Sequence, residues 1–397
     1  MIFTPVNKLK NENKAFFIEQ VQLYIKLVNA FCLKNRIQNN ADEKIINEDE
    51  LKSIGVIESK DDLSGLKTVL KSDYSPFLKA VNFAVENKEK LDGLLDKLYN
   101  SKRAELQKDF STRTKFTLVD FFCGAGGLSL GFVEEGFNIK LANDIQDVCI
   151  ETYKYNHPEI PSSKIIQGDI KEIVDNVSNY IDTDIDIVVG GPPCQGFSEA
   201  NRQRVIDDPR NKLYKYYVKA VEKIAPKFVL MENVKGMLKV AEQVVEDYEN
   251  LRIEKNGKVY TYSVKYKILN SQNFNVAQSR ERLIYIAVRN DIQKEKNITP
   301  QTIFDKIEEN CKKHKTYNLS AALEDIKPLD APRIKNMNEI DSETCGKKVD
   351  VNDYEDNQNE YLRLINMGRK IPYIYNHKAR YVNDINYDIY RLLNPGD

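Results

Sequence analysis

The chain has 397 residues and a formal net charge of −1, with 59 Lys and Arg against 60 Asp and Glu. This length supports two or three domains, and the balanced charge excludes the basic overall surface expected of a self-sufficient DNA-binding protein. The six cysteines form no Cys-x-x-Cys pair and only three histidines accompany them, which argues against a zinc site and fits a reducing cytosol.

Residues 1–110 are predicted to form a helical extension. Apolar residues recur at helical spacing within 16–28, 77–85 and 91–98, and 101–113 is interpreted as a charged connector or helix. The N-terminus has no signal-peptide core, and no run approaches membrane-spanning length, so we expect a cytoplasmic protein without a membrane partner. The extension could brace another domain, contact flanking DNA or bind a protein.

An apolar strand that begins at Phe116 runs into a glycine-rich turn with Gly124, Gly126 and Gly127, and a helix is predicted to follow. Glycines let the backbone approach a ligand closely, and the first turn of a helix offers unpaired N–H groups. Ser129 stands where the dinucleotide-binding fingerprint has its third glycine. The pattern therefore indicates a cofactor loop of another kind.

Two aspartates follow the next short strands of this region. Asp144 lies about 20 residues beyond Gly124, the spacing typical of a carboxylate that binds ribose hydroxyls, and Asp169 could face an adenine amino group. Together with the glycine turn they favour a nucleoside-containing cofactor without a pyrophosphate. The alternative for either aspartate alone is a helix N-cap.

The segment 190–198, Gly-Gly-Pro-Pro-Cys-Gln-Gly-Phe-Ser, follows a predicted buried strand at 185–189. Prolines fix the backbone and glycines permit close approach of a ligand, so this segment would present the Cys194 thiol at the rim of a sheet. Taken alone, Cys194 would more often be an inert buried cysteine.

Charged residues also stand at the ends of two further apolar strands. Glu232 ends the strand that begins near Pro226. Burial of a carboxylate there costs free energy unless the group is paired with a cation or has a functional role. Arg280 and Arg282 alternate at the start of a later strand, so both are predicted to point to one face. We expect that face to line a cleft.

These segments together resemble the DNA (cytosine-5) methyltransferases of bacterial restriction–modification systems. Six motifs occur in that family's order: Phe-Cys-Gly-Ala-Gly-Gly at 122–127, Asn-Asp at 143–144, Gly-Asp-Ile at 168–170, Pro-Pro-Cys-Gln at 192–195, Glu-Asn-Val at 232–234 and Gln-x-Arg-x-Arg at 278–282. The resemblance covers about Phe116 to Asn290. Ala277 stands where the family usually has proline, which is a mild departure.

The resemblance implies three catalytic residues. Cys194 would add to position 6 of cytosine, so that position 5 can attack an electrophilic methyl group. Glu232 would contact N3 and the exocyclic amine, and Arg282 would bind the O2 oxygen. Amino-methylating enzymes are excluded, because they carry an Asp/Asn-Pro-Pro-aromatic motif and need no cysteine.

The implied methyl donor is S-adenosylmethionine. Its adenine would meet Phe122, Asp169 and Ile170; the methionine part would face Ala125, Gly126 and Gly127; the ribose would meet Asp144 and Ile145; and Pro193 and Leu213 would line the remaining wall. The implied DNA contacts are Gln195, Ser198, Arg202, Arg204 and Arg210 on an active-site loop, with Arg280 holding the site in shape or touching the DNA backbone. No metal site is expected.

The C-terminal part departs from the family. Neither a full target-recognition region nor the last cofactor motif is recognisable after Asn290, and 319–397 resembles only the lead-in to target recognition. A subunit of a split enzyme, a truncated product and a fragment all remain open. In each case we expect little sequence-specific activity from the chain alone and weakened cofactor binding.

We therefore predict a Rossmann-like α/β methyltransferase fold in 115–295, a helical extension in 1–110 and an incomplete lead-in in 296–397. The predicted function is transfer of a methyl group from S-adenosylmethionine to carbon 5 of cytosine in double-stranded DNA. A second polypeptide that carries target recognition is one partner left open. The alternatives are a catalytic subunit or fragment inactive without such a partner, a transfer-RNA cytosine-5 methyltransferase and a non-catalytic binding subunit.

Overall fold

A computed structural model describes residues 3–87, 116–157, 160–193, 213–335, 341–352, 358–366 and 371–393. The chain forms two units, one from Met1–Ser101 with Leu319–Asp397 and the other from Lys102–Asn318. The predicted helices within 88–115 and the cysteine loop 194–212 lie outside the described residues.

The second unit is built on a seven-stranded sheet in the order β3-β2-β1-β4-β5-β9-β8. Its strands are β1 Phe116–Phe121, β2 Phe137–Asp144, β3 Ile165–Gln167, β4 Ile187–Gly190, β5 Phe228–Val234, β8 Tyr262–Asn270 and β9 Glu281–Arg289, and β6 Ile253–Lys255 pairs with β7 Lys258–Tyr260 in a separate hairpin. Strands β1 to β5 are parallel, whereas β9 runs antiparallel to both β5 and β8.

Helices cover both faces of this sheet. The described helices of the unit are α5 Gly127–Glu134, α6 Asp147–Asn156, α7 Ile170–Asp175, α8 Leu213–Ile224, α9 Ala241–Glu249, α10 Asn290–Lys296 and α11 Pro300–Cys311. Alternation along β1 sends Leu118 to the face beneath α5 and α6, and Val119 and Phe121 to the face beneath α7, α8 and α9. A mostly parallel sheet covered on both faces confirms the predicted Rossmann-like α/β class.

The strand end that precedes the cysteine segment is tightly packed at Gly190. A Cβ atom there would lie 2.4 Å from the Phe121 carbonyl oxygen and 2.7 Å from the ring of Tyr217. The same tyrosine donates hydrogen bonds to the carbonyl oxygens of Val188 and Leu230, on β4 and β5. Glycine is therefore required at 190, and the end of β4 is held firmly against its neighbours.

The first unit joins the N-terminal helices to a C-terminal hairpin. Its described elements are α1 Lys14–Asn35, α2 Glu48–Ser53, α3 Leu63–Leu70, α4 Tyr74–Glu86, α12 Leu319–Leu323, β10 Gly346–Val351, α13 Glu360–Ile365, β11 Tyr373–Lys378 and α14 Asp384–Leu392. Val349 and Tyr373 of the hairpin enter the helical core, and Lys26 pairs with Asp341 at 2.8 Å. This division differs from the predicted one, which kept 1–110 and 296–397 apart.

Helix α1 also differs from the sequence prediction. Among the described residues it is the one helix long and apolar enough to cross a membrane, whereas the prediction was that no run approached that length. It buries Phe17, Val21, Tyr24 and Leu27 in the core of its unit. A helix in a protein core can be as long and as apolar as a membrane-spanning helix, so these two properties do not distinguish them.

Candidate active site

The carboxyl ends of the parallel strands bring the predicted site residues to one edge of the sheet. Strand order places the end of β1 between the ends of β2 and β4, with β5 next to β4. Because β9 is antiparallel to β5 and pairs Arg282 with Val234, its beginning reaches the same edge. Ligands of open α/β sheets bind outside the carboxyl ends of the strands.

Glu232 and Arg282 form an ion pair at this edge. Arg282 Nε lies 2.8 Å from Glu232 Oε1, and the arginine and glutamate side chains are 24% and 32% exposed. A Cβ atom on Gly191, at the exit of β4, would approach the other carboxylate oxygen of Glu232 to 3.1 Å. A carboxylate and a guanidinium thus meet directly beside the segment that leads to Cys194.

Asn233 connects this pair to the proline segment. Its Nδ2 donates to the Pro192 carbonyl oxygen at 2.9 Å, its Oδ1 accepts from the Val234 N–H, and its side chain is 4% exposed. No role for Asn233 was predicted, although an amide within an apolar strand is a signal for one, because a buried amide needs hydrogen-bond partners. Cys194, Gln195, Ser198, Arg202, Arg204 and Arg210 lie outside the described residues, so their roles stay predictions.

Asp144 organises the glycine turn. Its two carboxylate oxygens accept hydrogen bonds from the N–H groups of Gly124, at 3.0 Å, and Gln146, at 2.9 Å. Helix α6 begins at Asp147 with Gln146 as its N-cap residue, so Asp144 is not that cap. Each oxygen keeps acceptor capacity for a further donor.

Asp169 is the N-cap of α7, where its Oδ1 accepts from the Lys171 N–H at 2.9 Å. Its side chain stays exposed. The N-cap alternative therefore holds for Asp169, and one carboxylate oxygen is engaged by the helix. Its neighbour Ile170 is 4% exposed and packs in the core, so a contact with an adenine ring there stays a prediction.

The remaining predicted cofactor residues differ in their exposure. Phe122 is half-buried with a φ of 55°, and a Cβ atom on Gly124 or Gly127 would meet nothing within 4 Å. The others are Ala125, Ile145 and Pro193, which are exposed, Gly126, which is buried, and Leu213, which is half-buried. Arg280 is exposed and its backbone N–H donates to Asn270 Oδ1 at 3.1 Å.

A buried carboxyl group lies behind the turn. Asp120 of β1 is 1% exposed; its Oδ2 accepts from the Tyr153 hydroxyl at 3.3 Å, and its Oδ1 has no hydrogen-bond partner among the described residues. Burial raises the pKa of Asp120 to about 7; Ser129, Tyr153 and His157 oppose this rise, and Asp144 adds to it. The sequence pattern gave no sign of this group.

This carboxyl group predicts how stability depends on pH. The carboxyl pKa in the unfolded chain is about 4, so between about pH 4 and 7 the folded state binds more protons and loses stability as the pH rises. Between pH 5.5 and 8 we expect the free energy of unfolding to fall by about 2 kcal/mol through this group. Urea unfolding should show a flatter dependence for Asp120→Asn, and equal slopes in both proteins would contradict the assignment.

Within the described ranges, no group of three or more His, Cys, Asp or Glu side chains could hold a metal ion. The polar groups that converge on the edge are the ion pair, Asp144 and the backbone of the glycine turn. These groups suit an organic ligand with hydroxyl and amino groups and a polar heterocyclic base.

The family model of the C-5 cytosine-specific DNA methylases matches residues 116–392. The chain belongs to this family. The match extends well beyond the limit near Asn290 that the motifs suggested, because the later residues carry no motif that can be read alone. The match therefore includes most of the C-terminal segment of the first unit, Leu319–Asp397, and none of its N-terminal segment, Met1–Ser101.

The chain is similar to two curated bacterial proteins, among others. The chain is 43% identical over 176 residues to the Type II methyltransferase M.FnuDI of Fusobacterium nucleatum, covering 44% of this chain and 47% of the relative. It is 37% identical over 181 residues to the Type II methyltransferase M.AquIA of a Picosynechococcus strain, covering 43% of this chain and 71% of the relative. It spans about half the length of most of the curated relatives that it matches.

Among solved structures, the chain is similar to a prophage-encoded E. coli protein described as a DNA modification methyltransferase. The two share 25% sequence identity with a TM-score of 0.44, over 65% of each chain.

Proposed function

We propose that the chain transfers a methyl group from S-adenosylmethionine to carbon 5 of cytosine in DNA through a covalent intermediate on Cys194, in a restriction–modification system. The observation that carries the proposal is the Glu232–Arg282 ion pair beside Gly191, three residues before Cys194. Membership of the C-5 cytosine-specific family supports the reaction, and the Type II names of the relatives support the biological setting.

The glycine turn and its surroundings fit S-adenosylmethionine. Asp144 keeps free acceptor capacity toward ribose hydroxyls, and the space beside Gly124 and Gly127 is open. The half-buried Phe122 offers apolar surface to an adenine ring, and Ile145, 59% exposed, offers apolar surface beside the ribose. When bound, this cofactor supplies an electrophilic methyl group.

The protein's own groups act on the cytosine ring. The Cys194 thiolate forms a bond to carbon 6, which turns the ring into an enamine whose carbon 5 is nucleophilic. Glu232 binds N3 and the exocyclic amine, and Arg282 binds O2, so both stabilise the charge created by that attack. After methyl transfer a base, which we take to be water, removes the proton from carbon 5, and the carbon–sulfur bond breaks to release Cys194.

The target base lies inside a stacked duplex and must be rotated out before Cys194 can reach it. We assign Gln195, Ser198, Arg202, Arg204 and Arg210 to the loop that closes on DNA, with Arg280 beside them. The loop carries four cationic residues against three acidic ones, which suits contact with phosphates. A cytoplasmic location follows from this substrate.

Three alternatives to this proposal predict different experimental results. A second polypeptide carrying target recognition predicts activity only when the adjacent reading frame's product is added. A transfer-RNA substrate predicts labelling of RNA in competition with DNA. A non-catalytic subunit predicts that no methyl group is transferred in any combination.

Cofactor binding by Asp144 is testable without DNA. We expect Asp144→Asn to weaken binding of S-adenosylhomocysteine by about ten- to hundredfold, because a charged hydrogen-bond acceptor is lost and the turn loses one backbone contact. Isothermal titration calorimetry on the full chain measures this. The matched control is Asp175→Asn, at the far end of α7, where the carboxylate pairs with Lys219. Equal losses in both variants would refute a direct role for Asp144.

A further inference from the structure

We propose that the last turn of α6 is a brace for the cofactor turn, with Asn156 and His157 as positioning residues and Tyr153 as their support. These three residues, called the α6 brace below, contact the turn at Ala125 and Gly126. The inference rests on the proposed function, because it concerns binding of S-adenosylmethionine by the same turn.

Asn156 makes the most direct contact. Its Nδ2 donates to the Ala125 carbonyl oxygen at 2.7 Å, although 31 residues separate the two positions. The side chain is exposed, so this hydrogen bond does not belong to the core of the unit. Its effect is to fix the direction of the Ala125 carbonyl group in the middle of the turn.

His157 lies directly against Gly126. Its ring is 1% exposed, and a Cβ atom on Gly126 would lie 2.4 Å from Nε2. Gly126 also has a φ of 90°, which side chains rarely allow. The turn therefore packs directly against the imidazole ring. Both this contact and the backbone conformation require glycine at 126.

Tyr153 completes the brace inside the unit. Its ring packs against His157 with ring centroids 4.6 Å apart, and its hydroxyl lies 2.9 Å from Ser129 Oγ. Ser129 Oγ is in turn 3.3 Å from the Gly126 carbonyl oxygen, and the Tyr153 hydroxyl reaches Asp120. This chain of hydrogen bonds ties β1, α5 and α6 to one point of the turn.

The α6 brace acts on ligand binding through backbone position alone. The space beside Gly124 and Gly127 is open. By contrast, Asn156 contacts the Ala125 carbonyl group, and His157 fills the space where a side chain on Gly126 would lie. Loss of a brace contact should therefore shift the turn relative to Asp144 and weaken cofactor binding without removing a ligand contact. A pre-organised turn has less conformational freedom to lose when the ligand binds.

The test compares three changes at Asn156 in the full chain. Asn156→Asp keeps the shape but sets a carboxylate oxygen against the Ala125 carbonyl oxygen, and Asn156→Ala removes the contact. We expect calorimetry with S-adenosylhomocysteine to give about two- to tenfold weaker binding for Ala and a larger loss for Asp. Asn156→Gln, which keeps the amide donor, should recover part of the affinity.

Stability and a matched control separate positioning from a general structural role. Asn176→Ala, which removes an exposed amide bonded to the Glu172 carbonyl oxygen at the end of α7, should bind like the unchanged chain. The urea midpoints of Asn156→Ala and Asn156→Gln should also be unchanged. If the unchanged chain binds and the Asn156 variants bind equally well, the brace is refuted while the proposed function stands. If the unchanged chain does not bind, the cofactor assignment fails and the brace fails with it.

Discussion

Cys194→Ser is expected to reduce methyl transfer to DNA by about a thousandfold or more. The thiolate is the attacking group, and a serine hydroxyl has a far smaller ionised fraction and is a weaker nucleophile at neutral pH. Binding of S-adenosylhomocysteine should be unchanged, because the turn and Asp144 that bind it are intact. Transfer of a labelled methyl group measures the loss, with the chain alone and with the product of the adjacent downstream reading frame.

Cys311→Ser is the matched control for this change. Cys311 is a partly buried cysteine at the end of α11 and contributes nothing to the proposed site. It should transfer methyl groups at the rate of the unchanged chain. A Cys194→Ser protein that remains active would remove the covalent step from the mechanism, whatever its effect on binding.

Glu232→Gln is expected to lower the rate of methyl transfer by about 10²- to 10⁴-fold, the usual contribution of a positioned acid or base. The amide keeps the shape but cannot hold a proton for N3, and it weakens the ion pair with Arg282. Cofactor affinity should stay the same, so the change should appear in the rate with saturating cofactor.

The control for Glu232 is Glu308→Gln, which removes another carboxylate–cation pair, with Lys267 between β8 and α11. This pair is exposed and outside the proposed site, so neither rate nor affinity should change. Equal rates of methyl transfer for Glu232→Gln and Glu308→Gln would mean that Glu232 has no role in the reaction.

The sequence predicted the site best where a charged side chain directly follows an apolar strand. An apolar run followed by Asp144 or Glu232 places each group at the carboxyl edge of a parallel sheet, and the edge positions of both follow from the pattern alone. The contact between Glu232 and Arg282 needed one further fact, the antiparallel direction of β9, which strand periodicity does not contain.

The α6 brace could not be predicted because its parts are unremarkable in sequence. Tyr153, Asn156 and His157 occur at helical spacing, which indicates only that they share one face of a helix. That this face meets the glycine turn depends on how α6 crosses the sheet. The glycine at 126 was a partial signal, since a glycine in a turn often marks a close contact.

The first unit shows the same limit over a longer range. Helical periodicity predicted α1 and α4, but the pairing of that core with Val349 and Tyr373 joins residues more than 250 positions apart in the chain. The prediction assigned 1–110 and 296–397 to separate parts, because 1–110 lies outside the family resemblance and the C-terminal residues resemble a lead-in to target recognition. Only tertiary packing shows that they share a core.

The identity of the methylated nucleoside tests the central claim most directly. Unmethylated DNA is incubated with S-adenosylmethionine carrying a labelled methyl group and with the chain, alone and together with the downstream product, and is then digested to nucleosides for mass spectrometry. Label in 5-methylcytosine, lost in Cys194→Ser, is the predicted result. Label in N4-methylcytosine or N6-methyladenine, or no label in either setting, would contradict the account.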